Sequence, residues 1–223
     1  MNKKKVLKII VGVVLVIVIL MLLYVIRNTL IVLKLQKNIK EYTSKTNFSI
    51  KLTNLTEETS KMTANFYKKD NKEVVILNFE RNEDGNSVKM SFYNNGERKD
   101  LFIETNDKKT VQVNTKDQLV GLNITNSLQT DNLWQTILYS SIARIKSENV
   151  NGKECYKVSN FYSPYWMFGE NITEFYIEKD TGLLIKTIID DVVTVRQYCF
   201  DNVDDSAFVE PDIGLYTVVE ENE

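Results

Sequence analysis

The sequence predicts an α+β protein: a curved antiparallel β-sheet with helices on its concave face, behind an N-terminal transmembrane helix. Three observations predict it. Ile9 to Ile26 is an unbroken run of 18 uncharged, almost wholly aliphatic residues. Beyond residue 46 the apolar residues recur with period two, the mark of half-buried strands. Between two blocks of such strands, apolar residues return once at helical spacing near Trp134.

The apolar run comes first in the chain. At 1.5 Å per residue it reaches roughly 27 Å, close to a hydrocarbon core of about 30 Å. A helix satisfies its own backbone groups, which lipid cannot do. Lys3, Lys4, Lys5 and Lys8 precede the run and Arg27 closes it. Lysines on that side hold the N-terminus in the cytoplasm and place the rest of the chain outside. A cleaved signal peptide is the alternative. Its apolar core runs to about 15 residues and ends in small residues, whereas this run is longer and ends Leu22-Leu23-Tyr24-Val25-Ile26. The expected organisation is therefore a cytoplasmic N-terminus over 1–8, a signal anchor over 9–27, an extracytoplasmic domain over 28–218 and an acidic tail over 219–223.

Leu30, Ile31, Leu33, Leu35 and Ile39, interleaved with lysines, asparagine and glutamine, predict a helix continuing to about Ser44 and amphipathic beyond Leu33. Six or so antiparallel strands follow within 46–115. Phe48, Ile50 and Leu52 alternate with polar residues, as do Met62, Ala64 and Phe66, then Val88, Met90 and Phe92. Lys69-Asp70-Asn71-Lys72, Asn94-Asn95-Gly96-Glu97 and Asn106-Asp107-Lys108-Lys109 are turn formers at hairpin spacing. Asp131 is the expected N-cap of a helix in which Trp134, Ile137, Leu138, Ile142 and Ile145 mark one apolar face up to about Ser147. Strands resume at Glu154 to Asn160, Ile172 to Lys179, Leu183 to Ile189 and Val192 to Asp201. The tail holds Pro211 and Gly214 and reads as loop or one last edge segment.

Composition excludes several functions. Outside the anchor there are 23 basic and 30 acidic residues, a net charge of −7, which is the wrong sign for a nucleic-acid partner. There is no histidine, so Ser-His-Asp and Cys-His catalysis and imidazole zinc sites are out. The acids fall in adjacent pairs such as Asp190-Asp191 and Asp204-Asp205, suited to turns and solvent rather than to an acid–base pair across a cleft. No enzyme, cofactor or metal is expected. Cys155 and Cys199 fall in predicted strands with two further strands between them. In a simple meander that separation is about 14 Å, against the 7 Å or less that a disulfide needs. A disulfide across a strongly curved sheet and two separate thiols both remain open.

Two stretches are candidate binding residues. Phe161 to Gly169 carries five aromatics in eight residues between two strands. An apolar loop either packs on the core or borders a cavity or partner surface, and Tyr165, Trp166, Met167 and Phe168 are the candidates. Trp134, Ile137 and Leu138 either face the same cavity or make ordinary core contact with the sheet.

The order of elements, together with Phe175-Tyr176-Ile177-Glu178-Lys179-Asp180-Thr181-Gly182-Leu183-Leu184-Ile185-Lys186, resembles the LolA-like lipoprotein carrier superfamily, which includes the sensing domain of RseB and Gram-positive envelope lipoproteins. Phe200-Asp201-Asn202-Val203 and Phe208-Val209-Glu210-Pro211 resemble its closing strand and tail. The resemblance implies a half-open β-barrel with helices over its mouth and no catalytic residues. It implies a membrane-anchored, extracytoplasmic binding protein of the bacterial cell envelope, holding a lipid, acyl chain or apolar peptide in a concave sheet. The alternative is a non-enzymatic scaffold or regulator that docks another envelope or cell-wall protein. The arginine used by the Gram-negative carriers has no match here, and an anchored protein cannot shuttle.

Overall fold

The structure is a computed structural model that describes residues 3–54, 60–81, 85–115, 124, 128–161, 172–189 and 191–219. The described residues form an α+β fold with one long N-terminal helix, one short helix and a single open sheet. Helix α1 spans Lys3–Thr43, 41 residues without a break, or about 60 Å of rod. Strands β1 (Asn47–Asn54), β2 (Ser60–Lys69), β3 (Lys72–Arg81), β4 (Ser87–Asn94), β5 (Lys99–Thr105) and β6 (Lys109–Val113) form the first block. Helix α2 (Leu133–Ile142) leads into β7 (Arg144–Val150), β8 (Lys153–Ser159), β9 (Ile172–Glu178), β10 (Leu184–Ile189) and β11 (Val192–Phe200). Two 3₁₀ turns, Asp205–Phe208 and Ile213–Leu215, and a two-residue strand β12 (Thr217–Val218) complete the described chain.

Each block is an antiparallel meander in which strands consecutive in the chain are neighbours in the sheet. The blocks meet where β1 pairs with β11, so that Phe48 faces Phe200 and Ile50 faces Tyr198. The strand order is β12-β6-β5-β4-β3-β2-β1-β11-β10-β9-β8-β7. The segment carrying α2 therefore crosses from near one edge of the sheet to the other. β12 is the exception to the antiparallel rule and pairs with β6 in parallel.

Two boundaries differ from the sequence reading. The second helix stops at Ile142, and Arg144–Val150 is a strand. Its N-cap is Asn132, not Asp131: the Asn132 side chain accepts from the Gln135 backbone N–H at 2.9 Å. Ile145 fits the helical spacing of Trp134 and Leu138, yet it also pairs across strands with Val158. Asn151-Gly152 is the turn that decides between them. Both residues have positive φ, 51° and 83°, as a two-residue hairpin turn requires.

The apolar core lies between one face of the sheet and the C-terminal half of α1. Val32 and Leu35 pack with Ile145, Val158, Phe175, Ile177 and Leu184. Ile39 packs with Phe48, Ile50, Leu183 and Ile185. A register irregularity between Leu184 and Lys186 lets three consecutive residues, Leu183, Leu184 and Ile185, all be buried in this layer.

Candidate functional site

The Lys-Asp-Thr-Gly turn singled out in the sequence holds α1 against the sheet. Gly182 has φ +72°, and a Cβ there would lie 2.5 Å from the Leu35 carbonyl oxygen and 2.9 Å from the Ile39 nitrogen. Only glycine allows both the left-handed backbone and that approach. Asn38 Nδ2 donates to the Lys179 carbonyl in the same turn at 3.1 Å. The helix that carries the apolar run is thus seated directly on the sheet, with no linker between them.

The face that α1 occupies continues past the helix. Cross-strand register places Phe66, Val75, Phe92 and Leu101 in one row across β2 to β5. Ala64, Leu77, Met90 and Ile103 form the next row, followed by Met62, Phe79 and Val88. Val75, Phe92 and Leu101 make a buried cluster with Phe66, Leu77 and Ile103 packed around it, and every described member comes from a strand. Met62, Leu77, Phe79, Met90 and Ile103 remain half-buried. The centre of this face carries no charged side chain, so what it offers a ligand is apolar area and two adaptable methionines.

The opposite face of the same strands is closed by the C-terminal segment. Val74, Tyr93, Phe102 and Val111 form a cluster covered by Phe208, Ile213 and Tyr216. Arg98 joins the two parts, pairing with buried Asp100 and with Glu210 at 2.7 Å each. Tyr216 donates to Glu104 at 3.0 Å. Burial and this carboxylate push the Tyr216 phenol up to about 12. Partial burial works against Glu104, but its bonds to Lys109 and Tyr216 and the charge of Lys89 hold its carboxyl below the ordinary value. A hollow beside this seam, lined by Val74, Tyr93, Phe208 and Glu210, has room for about one water. This face is a latch, not a site.

Helix α2 differs from the expectation that its apolar residues face the sheet or a cavity. Trp134 is 80% exposed, Leu138 62% and Ile142 55%, and Ile137 is half-buried. The residues that α2 buries are Thr136 and Ser140. They face α1, where Asn28 and Thr29 are also buried. Asn28 Nδ2 donates to the Ser140 carbonyl at 3.1 Å and the Ala143 carbonyl at 2.9 Å, and the Tyr24 hydroxyl also donates to Ala143. At the other end Gln36 Nε2 donates to the Leu128 carbonyl at 2.6 Å and to Thr130 Oγ1 at 3.3 Å. So α2 runs antiparallel to α1 along the stretch from Gln36 to Tyr24. Trp134 and Leu138 are exposed and belong to none of the apolar clusters of the described residues.

The candidates Tyr165, Trp166, Met167 and Phe168 lie outside the described residues, as do residues 220–223 of the expected tail. Phe161, at the head of that stretch, is buried and meets Tyr139 edge-on at 5.6 Å between ring centres. Both cysteines are free thiols, Cys155 buried on β8 and Cys199 exposed on β11, with β9 and β10 between them. Among the described residues no group of three or more Cys, Asp or Glu side chains is placed to hold a metal ion. The apolar rows across β2 to β5 were missed as a site in the sequence, although their alternation was read. The missing fact was which strands α1 covers.

Among the described residues one helix is long and apolar enough to cross a membrane, and it is α1. No family model and no curated protein matches the chain. Among solved structures, an uncharacterized conserved protein from Thermus thermophilus is similar, with a TM-score of 0.40 and 11% identity over 84% of this chain and 97% of that one.

Proposed function

We propose that this is a membrane-anchored binding protein of the cell envelope, with its sheet domain outside the cytoplasm. It takes an apolar ligand, a lipid or acyl chain, on the β2–β5 part of the face that α1 only half covers. The observation that carries the reading is the run of half-buried side chains beside α1: Leu77, Met90 and Ile103, with Met62 and Phe79 beyond. A water-exposed sheet face normally alternates to polar residues. Beside Leu77 and Phe79, β3 alternates to Asn78 and Glu80, but it is the apolar side that has no described helix packed on it. Such a face is a typical seat for an apolar ligand. Four lysines before the span support the orientation. A half-open barrel of the LolA-like kind is the fold this reading calls for, with α1 as one wall of the mouth.

The test is photo-crosslinking with a diazirine-bearing fatty acid in membranes holding the full chain, followed by peptide mapping. The expected result is label on β3 and β4, lost in Leu77→Glu/Met90→Glu. Label confined to α1 and α2 would overturn the ligand reading. The scaffold alternative would then be tested by protein crosslinking in intact cells.

A further inference from the structure

Helix α2 is built inside out for water. Its ten residues carry no charge, it buries Thr136 and Ser140, and it exposes Trp134, Leu138 and Ile142, which recur every fourth residue half a turn away from α1. Beside the Asn28 bonds to the Ser140 and Ala143 carbonyls, the buried residues on and next to the two helices are the small or polar Asn28, Thr29, Thr136, Ser140 and Ala143, with Val32 and Leu35 packed further along. Small and hydrogen-bonding residues between helices, with aliphatic and aromatic residues outside, is the pattern of helix pairs in lipid.

A second observation is independent of that pattern. The C-terminal end of α2 is sealed by side chains of α1. Ser140 and Ala143 carbonyls are taken by Asn28, Ala143 again by Tyr24, and the Tyr139 carbonyl by the Ala143 N–H at 3.1 Å. Water caps such carbonyls at an exposed helix end; where water is scarce, protein must do so. The sealed end lies at the level of Tyr24, inside the last turn of the apolar run.

We propose that α2 is a second membrane contact: a half-inserted helix whose Trp134–Leu138–Ile142 stripe lies in the leaflet from which α1 emerges. Lipid is the occupant because Ile142 shares its depth with the end of the span. Ten residues reach only about 15 Å, too short to cross. Eight residues separate Ile142 from Trp134, about 12 Å along the axis. With Ile142 level with Tyr24, inside the apolar run, that brings Trp134 up to the headgroup–acyl interface, the level where tryptophan concentrates in membrane proteins. Exposed Ile26 and Leu30 on α1 extend the same apolar belt. Arg27 and Arg144, both exposed, stand at the sealed end, within reach of lipid phosphates, while Asp131 stands at the far end. With α1 seated on the sheet by Gly182, this contact holds the domain against the membrane surface.

The experiment uses the full-length Trp166→Phe chain in phospholipid vesicles, leaving Trp134 as the sole tryptophan. Lipid brominated high on the acyl chain and aqueous acrylamide serve as competing quenchers. The expected result is loss of Trp134 emission to the bromolipid and protection from acrylamide. Quenching by acrylamide alone overturns the proposal. Protection from both also overturns it and assigns the stripe to a contact between copies of this chain. A second variant, Ile142→Cys with Cys199→Ser, should react with a membrane-impermeant maleimide only after detergent is added; reaction in intact vesicles refutes insertion.

Discussion

Replacing Gly182 with alanine isolates the contact that seats the long apolar helix α1 on the sheet. The added Cβ meets backbone, the Leu35 oxygen at 2.5 Å and the Ile39 nitrogen at 2.9 Å, so no side-chain rotation relieves it. The turn must also hold an L-residue at φ +72°, a cost of about 1–2 kcal/mol. Gly152 supplies the control. It has φ +83°, and a Cβ there meets nothing within 4 Å. Gly152→Ala therefore carries the backbone cost alone, while Gly182→Ala adds displacement of α1, an overpacking cost of about 1–3 kcal/mol. The expected total for Gly182→Ala is about 2–5 kcal/mol, the sum of those two ranges. At about 2–4 °C per kcal/mol for a chain of this size, the two variants should melt several degrees apart. The assay is thermal unfolding of the full-length chain in detergent, followed by far-ultraviolet circular dichroism. Equal melting temperatures would refute the claim that this turn bears on the α1 backbone.

Other outcomes follow from the same geometry. Phe102→Ala, in the fully buried cluster under the C-terminal segment, should cost about 3–5 kcal/mol, whereas Trp134→Ala in detergent should cost about 0.5 kcal/mol or less; denaturant titration compares them. Glu104 has its carboxyl held below the ordinary 4.5, so its contribution is present above that value and lost as pH falls through the lower folded one. Protection of the Val219 amide, whose N–H donates to Val111 at 2.9 Å, should accordingly fall relative to its intrinsic exchange rate as pH drops below 4.5, and Glu104→Gln should remove that acid dependence. Cys199 should react with a maleimide in the folded protein and Cys155 only on unfolding, because burial both hides the Cys155 thiol and raises its pKa. An intact mass two hydrogens light would refute the free-thiol arrangement.

Local pattern was enough for most elements. The six strands between 47 and 113 and the long first helix are read from alternation, turn residues and an uncharged run, all of which act over a few neighbours. It failed at β7, where Ile145 satisfies two periods at once and the Asn151-Gly152 turn was the stronger signal. For α2 the periodicity marks an apolar stripe, but neither a cavity nor the core receives Trp134 and Leu138, against the usual rule that apolar residues face inward. That rule depends on the solvent. Asn28 and Tyr24, over a hundred residues away in the chain, hold α2 so that Trp134 and Leu138 point outward.

The sequence by itself determined that one helix can span a membrane, that the domain behind it is built of antiparallel strands, and that histidine chemistry is absent. These are properties of composition and of short-range period. The tertiary structure alone decided that the helix carrying the apolar run is also the core helix, because that rests on Gly182 meeting the Leu35 and Ile39 backbone. It likewise decided which sheet rows α1 leaves half-covered and which way α2 faces. Those depend on long-range pairing of β1 with β11 and on buried hydrogen bonds between distant segments, and no local pattern in the chain encodes either.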